Sequence, residues 1–480
     1  MVRTAGAKRR RSAVAGMALL TLAGCAIADD EDREIPQQPL PAAFHNAGAE
    51  QANLPPPQSE WWKEFHHPEL NRLVELALAN NHDVRIATAR VAQSEAQASA
   101  TGALQMPTLE LDPKWSLTGP SGGVGTANDH LTSWQSQRMH QIGLKTAYEV
   151  DLWGKNAYAT ESAVALTQAS VHYREVVTIS LAADVTKTYF DYLAESDRLN
   201  VAERNLANAR AALAGIRTRM DHGDATITDV SQQETAVANA ESTVPVHMLN
   251  RDRALNKLAS LLGTTPAELL PLEGVTLVGV EPPKVTPGIP AQLICRRPDI
   301  RRAEANLLAA NADIKVARAK MYPSFSLSGE GGYGAYTLHT LIQQQALYYN
   351  FVGQITATLF DAGRNAAGVM QNRARYEEMV ETYRQVILES VHDVEDALSA
   401  LKLTGEQQAA LARAAKFAKK AYDSSTIAYD RGAVDFLTLL ETQRTLFNTE
   451  DAETAARADR LKAAVDLFKA LGGGFDEPQC

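Results

Sequence analysis

At 480 residues the chain has the length of about three ordinary domains. Aromatics make up only 6% and alanine is abundant, which suits long, closely packed helices better than several globular cores. The formal charge of -10 argues against nucleic acid as a partner, because phosphate binding needs a basic footprint.

The chain opens with a basic cluster, Lys8 to Arg11, followed by an apolar run too short to span a bilayer. This is the pattern of a secretory signal over residues 1–24. The signal ends in Leu22-Ala23-Gly24-Cys25, which resembles a bacterial lipobox. That resemblance implies acylation of the Cys25 sulfur, cleavage before Cys25 and acylation of the new N-terminus, a palmitate-type lipid being the only prosthetic group expected. The alternative is an ordinary signal peptide with Cys25 as a bystander. Each buried methylene contributes roughly 0.8 kcal/mol, so several chains on one cysteine make a lasting anchor. Ala26, with no Asp before Asp29, resembles the sorting pattern of outer-membrane lipoproteins. Cleavage removes five positive charges and no acid, taking the mature chain from -10 to -15.

Residues 25–60 are polar and proline-rich and read as an extended tether. The folded part opens at "WWKEFHHPEL", with Trp61 and Trp62 as core anchors. His66 and His67 have no ligand spaced to join them, so no metal site is expected. Of Cys295 and Cys480, the expectation is a buried thiol and a frayed end rather than a disulfide.

Proline is absent from Ser121 to Val244 and from Ser324 to Glu477, leaving two tracts free to be helical. Leu181, Val185, Thr188 and Tyr192 fall at helical spacing in the first tract. Leu388, Val391, Val394, Leu398 and Leu401, then Leu461, Val465, Phe468 and Leu471, do so in the second. Each tract is interrupted at a glycine, Gly223 or Gly432, predicting two helical hairpins with tight tips. Gly154 and Gly363 share with those tip glycines an offset of 209, while "HDVRIATA" and "PDIRRAEA" are offset by 216, so the chain reads as an internal duplication. Each copy also holds two alternating segments, about 107–118 and 139–152, then 323–336 and 349–361. "GEGGYG" lies in one of these strands and opens no helix, so it is not a nucleotide loop. Four strands cannot close a transmembrane barrel, whose minimum is about eight, so a barrel has to be shared between subunits.

Together with the lipobox, "WWKEFHHPEL", "YEVDLWGK", "RRPDIRRAEANLLAANADIKVARAKMYPSFSLSG", "LFDAGR", "YDRGAVDFLTLLETQRTLF" and "LFKALGGG" resemble, in order, the TolC/NodT family of outer-membrane factors. The resemblance implies a mainly α fold with a membrane β-barrel, in which a homotrimer builds a 12-stranded barrel and a helical periplasmic tunnel. It divides the chain into signal peptide 1–24, acylated tether 25–60, repeats 61–285 and 286–474, and tail 475–480. Its implied function is passive conduction as the outer-membrane channel of a tripartite pump, with a periplasmic adaptor and an inner-membrane transporter as partners. The positions matching the family's gate are Leu437 for an apolar ring and Glu441 for an acidic ring, with Asp435 nearby. The tips around Gly223, Asp224, Arg431 and Gly432 match the adaptor-docking end, and Asp430 and Arg431 are expected to hold the closed state by ion pairs. Lys315 departs from the family's small residue before the third strand, which argues against close packing there, and Pro245 predicts a kink or break near Val244. The competing reading is a lipid-anchored periplasmic coiled-coil scaffold without a pore. No HExxH, P-loop or GxSxG occurs, so an enzyme such as a lipid-anchored hydrolase is not expected.

Overall fold

The structure, a computed structural model, describes residues 38–47, 58–119, 137–269, 272 and 276–473. In chain order these form α1 (Pro68–Asn80), α2 (His82–Gly102), β1 (Thr108–Thr118), β2 (Gln137–Val150), α3 (Lys155–Asp221) and α4 (Ile227–Leu261). The second half repeats the order with α5 (Pro298–Ala319), β3 (Ser324–Ala335), β4 (Leu347–Thr356), α6 (Arg364–Asp430) and α7 (Phe436–Ala470). Shorter helical turns include Trp61–Phe65 and Leu293–Arg296. The signal peptide, Cys25 and residues 474–480 lie outside the described residues.

The two hairpins are equal in size: α3 and α6 have 67 residues each, α4 and α7 have 35 each. At about 1.5 Å per residue the long helices reach roughly 100 Å. Every helix boundary in the second hairpin lies 209 residues after its counterpart, the offset read from the glycines. The duplication extends to how the hairpins are tied down. Asn81 caps α2 and donates through Nδ2 to the carbonyl of Leu261, the last residue of α4, at 2.9 Å. Arg297, just before α5, donates through Nη1 to the carbonyl of Ala470, the last residue of α7, at 3.0 Å. Each thus satisfies a terminal carbonyl that no helix can bond internally. Gly263 (φ 69) and Gly472 (φ 75) end these helices in the left-handed region, where a side chain would also strike the backbone of Asn80 or Arg296.

The core lies where the hairpins meet α1, α2 and α5. Trp61 is fully buried and stacks on Phe468 at 5.3 Å, with Phe65, Tyr189 and Phe190 around it. Leu181, Val185, Thr188 and Tyr192 are buried as expected, as are Leu461, Val465, Phe468 and Leu471. On α6 the inward face is shifted: Leu388 is exposed, and Ile387, Ser390, Val394 and Leu398 are buried. A polar cluster joins three helices. Arg198 (α3) forks onto Asp451 (α7) at 2.7 and 2.9 Å and reaches Glu195 at 2.7 Å, while His247 (α4) lies 2.8 Å from Glu195.

Four expectations are corrected. α4 continues as one helix through Pro245, so the expected break there is absent, because its packing along α3 outweighs one missing backbone bond. Lys315 does not block packing; it is half-buried with its ammonium 5.2 Å from the Tyr158 ring centroid, a cation–π contact. Part of the tether is docked: Phe44 is buried, and the amides of His45 and Asn46 donate to Glu395 on α6 at 2.5 and 3.0 Å. Cys295 is disulfide-bonded rather than a free thiol.

Candidate functional site

The sheet has the order β1-β2-β3-β4, antiparallel throughout. Its register sets Leu111 opposite Leu144, Leu144 opposite Gly331 and Gly331 opposite Tyr349. Since side chains alternate along a strand, this register sorts the sheet into two faces. One carries Leu109, Leu111, Trp115, Leu144, Phe351 and Ile355; the other carries Glu110, Asp112, Lys114, Lys145, Glu330 and Asn350. Leu109, Trp115, Tyr349, Phe351 and Ile355 are 65–80% exposed in the single chain. An apolar area of that extent marks a surface for membrane or partner. The polar face is internally bonded, with Lys114 paired to Asp112 at 2.5 Å and the Tyr348 hydroxyl donating to Glu330 at 2.7 Å. Among the described residues no helix is long and apolar enough to cross a membrane.

"GEGGYG" lies in β3, as its alternation predicts. Gly332 faces Gly143 on β2, and a Cβ there would sit 2.3 Å from the Gly143 Cα. Gly332→Val is therefore expected to cost about 3 kcal/mol. Loss of the heat-modifiable folded band on a denaturing gel would show it, and an unchanged band would contradict the close approach.

At the far end, both tips turn in the same way. Gly223 (φ 83) and Gly432 (φ 71) take the left-handed conformation just past α3 and α6. The amides of Asp224 and Ala433 then bond back to the carbonyls of Arg219 and Ala428, each at 2.8 Å. Thr226 caps α4 in a reciprocal box with Asp229. The tips hold each other through a small core of Ile216, Val230 and Phe436, with Leu213, Met220 and Tyr429 against it. Arg219 lies 4.2 Å from the Tyr429 ring centroid and 3.3 Å from Asp430. The residues chosen from sequence at the tips, Gly223, Asp224, Arg431 and Gly432, are brought to one end, all exposed. Asp430 does form an ion pair, but with Arg219 of the other hairpin, a partner that reading the second tip alone does not suggest.

On α7, Leu437 and Glu441 are one turn apart on one face, both about 60% exposed in the single chain. Glu441 is paired with Arg444 at 2.7 Å, a neighbour the sequence reading passed over, although its spacing of three residues marks it. Asp435 has a structural job at the helix start. It caps α7, accepting from the Thr438 amide at 2.9 Å and from the Thr438 hydroxyl at 2.6 Å. These bonds, the hydroxyl's foremost, hold its carboxyl below the usual carboxylate range. The cap is thus in place at neutral pH and lost as pH falls through that lowered value.

The sequence model for outer membrane efflux proteins matches twice, over residues 73–264 and 289–473, once on each half of the duplication. The chain belongs to the outer membrane efflux protein family. It is 36% identical over 423 residues to the pyoverdine export outer membrane protein OpmQ of Pseudomonas aeruginosa, with 87% of each chain covered. It is 31% identical over 468 residues to the toluene efflux pump outer membrane protein TtgI of Pseudomonas putida, covering 96% of this chain and 98% of that one. Its fold matches the outer-membrane channel OprN with a TM-score of 0.85 at 27% identity, covering 92% and 98% of the two chains. This outer membrane efflux protein is a channel of an export system, mainly helical, located in the outer membrane.

Proposed function

We propose that three copies of this efflux protein close a 12-stranded barrel and a periplasmic helical tunnel, through which cargo passes passively from an inner-membrane pump and a periplasmic adaptor. The two-faced sheet carries this reading. One face is too apolar for water, the other is charged, and four strands with two open edges are half of the smallest barrel, about eight. Only closure with further copies satisfies the edge backbone groups in a bilayer. The duplication at 61–285 and 286–474 then supplies each subunit with two strand pairs and two hairpins. Reconstitution of the purified protein tests the reading. A trimer by native mass with stepwise currents in a planar bilayer is expected, and a monomer without currents would favour the lipid-anchored scaffold.

The tips would receive the adaptor, and Leu437 and Glu441 would form the constriction just inside them. Three carboxylates around a narrow axis favour cations, although Arg444 tempers that field. No catalytic step enters, and the lipid on Cys25 is the only non-protein group in the proposal. The named cargoes of the relatives, pyoverdine and toluene, differ in chemistry. That spread supports placing cargo selection in the pump. Cys25→Ser is expected to abolish labelling by radioactive palmitate while leaving the trimer assembled, because the barrel is a second anchor. Loss of trimer in that variant would make the lipid part of assembly.

A further inference from the structure

Two apolar pairs stand uncovered just outside the sheet. Leu104 and Met106, before β1, are 58% and 69% exposed, while Leu359 and Phe360, after β4, are 96% and 88% exposed. Both are held in place by local bonds. The Leu104 carbonyl accepts from Asn156, and Gln105 donates to Thr160 at 2.8 Å. Next to Phe360, the Asp361 carboxylate accepts from the amides of Gly363 and Asn365 at 2.9 Å each.

Strand direction relates the two pairs. The sheet is antiparallel throughout, so the start of β1 and the end of β4 lie at its same end, on opposite edges. The free edges match in length, at 11 and 10 residues. Pairing them along their whole length between neighbouring copies sets Thr108 of one opposite Thr356 of the next. Leu104, in the helical turn Ala103–Gln105, lies four residues before Thr108 and Phe360 four after Thr356, so both follow directly on the paired edges at the same end of the sheet.

We infer that Leu359 and Phe360 of each subunit seat against Leu104 and Met106 of its neighbour, forming an apolar clasp that closes the ring where the barrel meets the helices. The occupant of the patch is a second copy of this chain, and the inference rests on the shared barrel proposed above. Burying two exposed apolar pairs per contact adds side-chain specificity to an edge whose backbone bonds alone leave register free to slip.

The test places cysteines at 104 and 360 of the full-length chain and oxidises isolated outer membranes. The Leu104→Cys/Phe360→Cys variant is expected to give reducible dimer and trimer bands that neither single variant shows. A trimer on a native gel without that cross-link would overturn the clasp, leave the barrel standing and point to lipid as the cover. Absence of any trimer in the unmodified protein would overturn the barrel and the clasp together. Independently, Phe360→Asp is expected to lower the trimer fraction by about tenfold while Phe360→Leu retains it. An undiminished trimer in the aspartate variant would contradict the clasp.

Discussion

Replacing Leu437 and Glu441 together by alanine is expected to raise the single-channel conductance several-fold over the wild type at neutral pH. The two side chains share one turn of α7 and stand clear of their own subunit. Around a threefold axis they would form an apolar ring and a charged ring one above the other. If those rings are the constriction proposed above, removing both would widen it and remove its dewetting barrier. The Leu437→Ile variant keeps the apolar ring and is expected to conduct like the wild type. Equal currents in wild type and double variant would place the constriction elsewhere along the tunnel. Arg444→Ala, which unmasks Glu441, is expected to increase preference for cations with little change in conductance.

The second large effect is on stability. Arg198→Ala is expected to destabilise the helical bundle by about 3 kcal/mol, because truncation leaves Asp451 and Glu195 partly buried without their cation. The cluster lies where α3, α4 and α7 converge, and its bonds cross from the first hairpin to the second. Arg198 is also held in its charged form, foremost by the Asp451 carboxylate. The temperature at which trimer converts to monomer measures the loss. Arg198→Lys should recover only part of it, since an ammonium cannot reproduce the two-pronged bond. No fall in that temperature would mean that this cluster adds nothing to the hold between the two hairpins.

Much of this architecture was legible in the sequence, for identifiable reasons. Proline-free tracts and a repeated glycine spacing located both hairpins, because glycine past a helix end and proline outside it report backbone conformation directly. Alternation located four strands, one of which ended early. β4 stops at Thr356, and Asp361, bonded to the amides of Gly363 and Asn365, turns the chain into α6. Long-range pairing was not legible. Arg219 with Tyr429 and Asp430, and Arg198 with Asp451, join residues more than 200 positions apart, and no local pattern specifies such partners. Asp435 illustrates the opposite case: Asp435-Phe436-Leu437-Thr438 at the start of a helix is a capping signal. Pro245 shows that a strong local rule yields when a helix is packed along its neighbour.

Cysteine accessibility along β1 shows which face of the sheet meets the water of the pore. Single cysteines at positions 109 to 115 are introduced into the reconstituted protein, and a water-soluble, charged thiol reagent is applied while current is recorded. Modification at positions 110, 112 and 114 is expected to reduce the current, whereas cysteines at 109, 111 and 115 are expected to be inert to the reagent. Uniform reactivity along the strand, or alternation with the opposite phase, would contradict a barrel with its polar face turned to the pore.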